Sequence, residues 1–176
     1  MKTLLLLRHA KSSWKDPGKE DFDRTLNKRG RREAAALGCW MGANGLWPDL
    51  ALCSDAARAR ETWQAAMEAG GAQVKTDWRH DLYLAEPNEI LSAIQAVPGN
   101  YDRTIIIGHN PGIGALAEGL CGTATRSRLT TLKGFPTAAY AEYDFEVDDW
   151  NAVGPGNGIC VRADTAKEIA KREDRS

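Results

Sequence analysis

Leu4-Leu5-Leu6-Leu7-Arg8-His9 is an apolar run that ends in a charged pair, and Ile105-Ile106-Ile107-Gly108-His109 repeats this arrangement one hundred residues later. Buried parallel strands read as unbroken apolar runs because both faces of their sheet are covered. In open α/β sheets, ligands bind just outside the carboxyl ends of the strands. The two runs therefore predict two parallel strands, and they place two of the chain's three histidines where a ligand would bind.

Helical and strand patterns alternate between these runs. Residues 49–53 form another apolar strand, and apolar positions recur at helical spacing on either side of it. From residue 139 the apolar positions alternate with polar ones, and residues 159–163 fit a strand that pairs antiparallel with that segment. The expected fold is an α/β, three-layer α/β/α sandwich whose mainly parallel sheet has an antiparallel edge.

Size and composition predict one ordinary domain. The chain has 176 residues, of which 43% are hydrophobic, and a formal net charge of -1. We expect a single domain over residues 1–163 and a charged C-terminal tail over residues 164–176. The near-neutral charge gives no general attraction to nucleic acid or to an anionic membrane.

The first leucine run is too short for a signal-peptide core or a membrane span, so we expect a cytoplasmic protein. The four cysteines are far apart and form no C-x-x-C pair, which indicates reduced thiols rather than a zinc site.

The side chains at the predicted strand ends are those of an anion pocket. Arg8 and His9 follow the first strand, Arg58 lies near the start of the helix after residue 53, and His109 follows the later strand. A planar guanidinium can bind two oxygens of a phosphoryl group at once. A neutral imidazole can attack phosphorus, while a second one donates a hydrogen bond to the oxygens, and this route needs no metal or other cofactor.

Several motifs, in order, resemble those of the histidine phosphatase superfamily, which includes the phosphoglycerate mutases. They are Arg8-His9-Ala10, Leu26-Asn27-Lys28-Arg29-Gly30, Ser54-Asp55-Ala56-Ala57-Arg58-Ala59 with Thr62, Gly108-His109-Asn110-Pro111, and Gly134-Phe135-Pro136-Thr137. The short SixA-like phosphohistidine phosphatases are the most similar subgroup. The resemblance extends over about residues 2–163 and implies a phosphoglycerate mutase-like fold.

The resemblance also implies roles for single residues. His9 would be the nucleophile, Arg8 and Arg58 would clamp the phosphoryl oxygens, and His109 would stabilise the transition state. Ser12 and Asn110 are expected among the substrate-binding residues. For the general acid the resemblance leaves three candidates, and we take Glu86 first, with Asp81 and Glu89 as alternatives, or no acid at all.

Two other phosphatase classes fit less well. Asp21-Phe22-Asp23-Arg24-Thr25 resembles the D-x-D-x-T motif of haloacid-dehalogenase-type phosphatases, but it follows a turn-rich polar loop, which we expect to keep the aspartate away from the sheet edge. Cys53 and Arg58 have four residues between them, one fewer than cysteine phosphatases require.

The predicted function is therefore a metal-independent phosphatase with a phosphohistidine intermediate on His9. Its expected substrate is a protein phosphorylated on histidine, because the short chain leaves little material for a lid over the pocket. A small phosphorylated metabolite remains an alternative, as does a module that binds a phosphorylated ligand without turnover. In each case phosphate, sulfate, vanadate or tungstate is expected to bind the site.

Overall fold

The computed structural model describes residues 1–173. Its strands are β1 (Lys2–Arg8), β2 (Leu50–Ser54), β3 (Lys75–Arg79), β4 (Arg103–Gly108), β5 (Ala139–Phe145) and β6 (Ile159–Thr165). Its α-helices are α1 (Lys28–Ala43), α2 (Ala57–Gly70), α3 (Pro87–Gln95), α4 (Gly112–Leu120), α5 (Arg126–Thr130) and α6 (Ala166–Glu173). None of the helices in this part of the chain is both long and apolar enough to cross a membrane.

One six-stranded sheet organises the molecule, in the order β3-β2-β4-β1-β5-β6. β1, β2, β3 and β4 pair in parallel, whereas β5 pairs antiparallel with both β1 and β6. The α/β fold with a mainly parallel sheet and an antiparallel edge is confirmed. β6 rather than β5 is the outermost strand on that side.

The leucine run of β1 separates two apolar cores because successive strand residues point to opposite faces. Leu5 and Leu7 pack with apolar residues of α1, α2 and α6, whereas Leu4 and Leu6 pack with those of α3 and α4. The sheet is therefore covered on both faces, and this explains why its central strands are apolar throughout.

The start of α1 lies directly against the loop that follows β1. The side chain of Asn27 accepts a hydrogen bond from the Gly30 backbone N–H (2.8 Å) and so caps the helix. A β-carbon at Gly30 would lie 2.2 Å from the Lys11 carbonyl oxygen, so only glycine fits there. This contact fixes the loop that carries Ser12 relative to the helix.

The end of the chain differs from the expected separate tail. Residues 164 and 165 complete β6, and α6 packs on α1 with Ala166 and Ile169 fully buried. Lys167, Glu168, Lys171 and Arg172 are exposed while these two join the core, which makes the helix amphipathic. Residues 174–176 of the predicted tail lie outside the described residues.

Candidate active site

The carboxyl ends of three neighbouring strands meet at one pocket. Arg8 at the end of β1 pairs with Gly108 at the end of β4, so His9 and His109 follow adjacent strands. Their imidazole rings are 5.1 Å apart between centroids. Arg58 lies in the first turn of α2, which follows β2, and its Nε is 3.3 Å from Nε2 of His9. The structure thus brings together the four residues that the strand-end argument selected.

The pocket has a volume of about 400 Å³. Its described lining residues are Arg8, His9, Lys11, Ser12, Trp14, Asp21, Arg24, Arg58, Leu84, His109, Asn110 and Thr137. A larger cavity, of about 540 Å³, lies beside α4 and α5, but its lining includes none of the histidines. The smaller pocket is the candidate site because it combines the nucleophile candidates with the arginines.

Hydrogen bonds orient the His9 ring. Nδ1 lies 2.8 Å from the Ala10 carbonyl oxygen. A carbonyl can only accept a hydrogen bond, so Nδ1 carries the ring hydrogen and Nε2 carries the lone pair. Nε of Arg58 donates to this Nε2 across 3.3 Å. The unprotonated nitrogen of His9 therefore faces a guanidinium group, where a phosphoryl oxygen would also bind.

A second layer of contacts fixes the backbone beside His9. The Ala10 N–H donates to Oγ1 of Thr62 (2.9 Å), whose hydroxyl in turn donates to the carbonyl of Arg58 (2.7 Å). Thr62 is fully buried. It thereby links the loop of His9 to the helix of Arg58.

His109 is held through Ser54 at the end of β2. Nε2 of His109 lies 2.7 Å from Oγ of Ser54, which also accepts a hydrogen bond from the Ala56 N–H. In the tautomer in which the Ser54 hydroxyl donates to Nε2, Nδ1 of His109 carries the ring hydrogen. This Nδ1 is buried and has no partner among the described residues. In that tautomer it can donate to a bound anion.

Both histidines are neutral over the ordinary pH range. Burial, together with the positive charges of Arg58 and Arg8, lowers the pKa of His9 to about 3 despite the bond to Ala10. Burial, His9 and Arg58 lower the pKa of His109 to about 3. A neutral His9 retains the lone pair that a nucleophile needs.

Arg8 and Asn110 lie on the side of the pocket near Phe135. Nη1 of Arg8 and Nδ2 of Asn110 both donate to the Phe135 carbonyl, at 3.2 and 3.0 Å. Nε of Arg8 and Oδ1 of Asn110 are buried without a partner in the described part of the chain. Arg8 therefore keeps an unused donor at the site, consistent with the expected clamp. Asn110 lines the pocket as expected.

Sequence reasoning missed the residue that holds Arg58. Nη2 of Arg58 forms an ion pair with Oδ2 of Asp21 (3.0 Å), and Nη1 donates to the Asp21 carbonyl (2.6 Å). The Tyr83 hydroxyl donates to the same Oδ2 (2.6 Å), and Nη1 of Arg24 donates to Oδ1 (2.9 Å). Arg24 also donates to the hydroxyl of Ser12, so the expected contact residue Ser12 belongs to this network.

The expectation that the polar loop keeps Asp21 from the sheet edge is wrong. A turn of 3-10 helix over Asp21–Asp23 folds the loop back over the pocket. Because the side chains at i and i+3 of such a turn lie on the same side, Asp21 and Arg24 point into the site together. The D-x-x-R spacing is the sequence signal that could have found them.

None of the three candidate general acids lines the pocket. Glu86 is exposed at the N-cap of α3, where its backbone N–H donates to Oε2 of Glu89 (2.8 Å) in a capping box. Asp81 pairs with Arg79 on the surface. The structure therefore gives Glu86 and Glu89 a capping role and does not bring any of the three to His9.

The one carboxylate among the described lining residues is Asp21. The hydrogen bond from Tyr83, with those from Arg24 and Arg58, lowers the pKa of Asp21 to about 2. Asp21 is therefore ionised at neutral pH, so it can hold the guanidinium groups in place but has no proton to donate.

Comparison with protein families gives a match over residues 4–81 to the model described as histidine phosphatase superfamily (branch 1). An uncharacterised protein of Mycobacterium tuberculosis is 35% identical over 158 residues, which is 88% of this chain and 96% of that protein.

Among solved structures, the proposed phosphohistidine phosphatase SixA of Agrobacterium tumefaciens is 35% identical, with a TM-score of 0.74 over 82% of this chain and 92% of that chain. The protein histidine phosphatase SixA complexed with tungstate has a TM-score of 0.76 over 95% of this chain and 99% of that chain. Its identity is 19%, so this second likeness concerns the fold.

Proposed function

Because this chain belongs to the histidine phosphatase superfamily, we propose that it hydrolyses phosphohistidine on a protein and that His9 carries the phosphoryl group between the two chemical steps. The superfamily makes the chain a phosphatase in the broad sense. The nucleophile, the intermediate and the substrate are our proposals, and each rests on the geometry of the pocket.

Nε2 of His9 is the proposed nucleophilic atom. Nε2 carries the lone pair because Nδ1 donates to the Ala10 carbonyl, and a bound phosphoryl group would replace Nε2 as the acceptor of the Arg58 Nε–H. In the first step, a bond forms between Nε2 and phosphorus while the bond from phosphorus to the substrate nitrogen breaks. Arg8, Arg58 and Nδ1–H of His109 would stabilise the charge on the equatorial oxygens.

The second step restores the enzyme. A water molecule attacks the phosphorus of phosphorylated His9, the bond between Nε2 and phosphorus breaks, and inorganic phosphate leaves. The water gives up one proton, and the departing substrate imidazole takes up one proton from solvent in the first step. No metal or other cofactor is needed for either step, because the arginines and His109 supply the electrostatic stabilisation.

The state of the carboxyl and imidazole groups among the described lining residues carries the choice of substrate. Asp21 is ionised and the two histidines are neutral, so none of these three groups is a protonated acid that could give a proton to the leaving group. An alkoxide leaving group requires a proton in the transition state, whereas an imidazole leaves far more easily. A phosphorus–nitrogen bond therefore suits this pocket better than a phosphoester bond.

The test measures phosphate release from a carrier protein phosphorylated on histidine, in excess chelator, with a small aryl phosphate in parallel. We expect release from the phosphoprotein and its loss in His9→Ala. His80→Ala is the matched control, because this third histidine is exposed and does not line the pocket.

Other outcomes would change the proposal. Activity on the aryl phosphate alone would assign the enzyme to small phosphoesters. Release that survives in His9→Ala would remove His9 as the nucleophile, and release that required added magnesium would contradict the metal-independent route. Binding of phosphate without any turnover would indicate a module that only recognises phosphorylated ligands.

A further inference from the structure

Two exposed apolar side chains lie at the pocket. Of the described residues, the large apolar side chains that remain exposed are Met1, Trp14, Leu84 and Ile159. Trp14 and Leu84 both line the pocket of His9, whereas the other two do not. Scattered exposed apolar residues are ordinary, but two at the same catalytic pocket indicate a contact surface for a ligand.

Trp14 is held in place although it is 74% exposed. The Arg24 guanidinium lies over its ring, 3.2 Å from the centroid. Arg24 itself is nearly buried and is fixed by its ion pair with Asp21 and by a hydrogen bond from Nε to the Ser13 carbonyl (3.2 Å). The indole is therefore anchored on one side by a rigid guanidinium, while much of its surface remains open to solvent.

Leu84 has an unusual backbone. Its φ is 50°, a left-handed conformation that leucine rarely adopts. The side chain is 50% exposed, so the fold gains little apolar burial from keeping a leucine there. Residues held in sparsely populated conformations concentrate at functional sites. This strain supports a role for the Leu84 side chain at the pocket rather than in the core.

We propose that Trp14, together with Leu84, is a specificity-determining platform that binds the planar ring of the leaving group, the imidazole of a phosphohistidine. This inference rests on the proposed function and adds the part of the pocket that recognises the atoms beyond phosphorus. The arginines and histidines contact the phosphoryl group, which every phosphorylated substrate shares. Trp14 and Leu84 supply the apolar contacts that distinguish one leaving group from another.

The chemistry of an aromatic ring suits this platform. Aromatic rings stack in offset or edge-to-face arrangements. An imidazole leaving group is planar and can stack on the part of the indole that Arg24 leaves open. An amine without a ring has no aromatic face to stack.

The experiment compares two small substrates that share the phosphorus–nitrogen bond. Phosphoimidazole has a planar leaving group, and phosphoramidate has ammonia. For each enzyme, kcat/KM for phosphoimidazole is divided by kcat/KM for phosphoramidate, and this ratio measures the preference for a planar leaving group. The ratio of each variant is then compared with that of the wild type. We expect Trp14→Ala to lower the ratio about fivefold, mainly through KM, since a stacking contact is lost.

Two further variants isolate the aromatic contact. Trp14→Phe keeps an aromatic face and should restore most of the ratio. Ile159→Ala removes an apolar side chain of β6 that is also exposed, at 43%, but does not line the pocket, and should leave the ratio unchanged. Leu84→Ala should lower the ratio less than Trp14→Ala, because it removes no ring.

The outcomes separate this inference from the proposed function. If the wild type hydrolyses neither compound and no phosphohistidine protein, the proposed function fails and the inference with it. If the wild type is active but Trp14→Ala lowers kcat/KM equally for both compounds, Trp14 acts only through Arg24 and the platform is refuted. An unchanged ratio in an active Trp14→Ala enzyme refutes it as well.

Discussion

Acidification is predicted to destabilise the protein through its two buried histidines. His9 is 6% exposed and His109 is 2% exposed, and each has a pKa lowered to about 3 from a usual value of 6.5. In the unfolded chain both imidazoles bind a proton as the pH falls through 6.5, whereas in the folded protein they stay neutral until about pH 3. The stability that they contribute is therefore complete above pH 6.5 and is lost as the pH falls from 6.5 toward 3.

The magnitude follows from the width of this interval. Each pH unit below 6.5 costs about 1.36 kcal/mol for each histidine that remains neutral in the folded state. At pH 5 the loss is about 2 kcal/mol for each residue and about 4 kcal/mol for both. This is a large share of a typical free energy of unfolding, which is about 5–15 kcal/mol. The range from pH 6.5 to pH 5 lies above the titration of Asp21, whose pKa is lowered from 3.8 to about 2.

Urea denaturation at pH 7.5 and pH 5.0 measures this loss for the wild type and for His9→Asn/His109→Asn. We expect the double variant to lose about 4 kcal/mol less than the wild type over this range, because asparagine does not titrate. His80→Ala, which removes the exposed third histidine and its contact with Asp55 but keeps both buried imidazoles, is the matched control and should lose most of the free energy that the wild type loses. The reasoning is refuted if the wild type and the double variant lose the same free energy of unfolding.

Two further predictions concern the ion pair and the C-terminal helix. Asp21→Asn removes the carboxylate that holds Arg58, so we expect kcat to fall about tenfold. Phosphate, as a product inhibitor, should bind more tightly because the pocket then has one negative charge fewer. Steady-state kinetics with added phosphate test both effects, and an unchanged kcat would contradict the first. Ile169→Ala should lower the free energy of unfolding, measured by urea denaturation, by about 2–4 kcal/mol, because Ile169 is fully buried and α6 packs on α1. A loss below about 0.5 kcal/mol would show that α6 is not part of the core.

The central strands and the paired histidines could be predicted because their signals are local. An apolar run and the residue that follows it are adjacent in sequence, and the topology of a parallel sheet brings such ends to one edge. His9 and His109 were found in this way. The outer strand β3 escaped prediction because Lys75-Thr76-Asp77-Trp78-Arg79 is mostly polar, as suits an edge strand.

The rest of the site depends on contacts between distant residues. Asp21 and Tyr83 are 62 positions apart, and only the folded loop shows that they bond each other. Turn residues before Asp21 indicated a loop correctly but gave no direction for its side chains. The helix α6 was missed for a different reason, since its many charges hide the short apolar stripe formed by Ala166 and Ile169.

Asp21 acts as a built-in counter-ion of the pocket, and this affects how a substrate arrives. A phosphoryl group that diffuses toward the protein meets guanidinium groups of Arg24 and Arg58 that are already partly neutralised. Association that is steered by a strong net field slows as ionic strength rises. Because Asp21 offsets part of the positive charge of Arg8, Lys11, Arg24 and Arg58 from within the pocket, we expect the association rate to fall less steeply with salt than in Asp21→Asn, whose pocket keeps all of that charge.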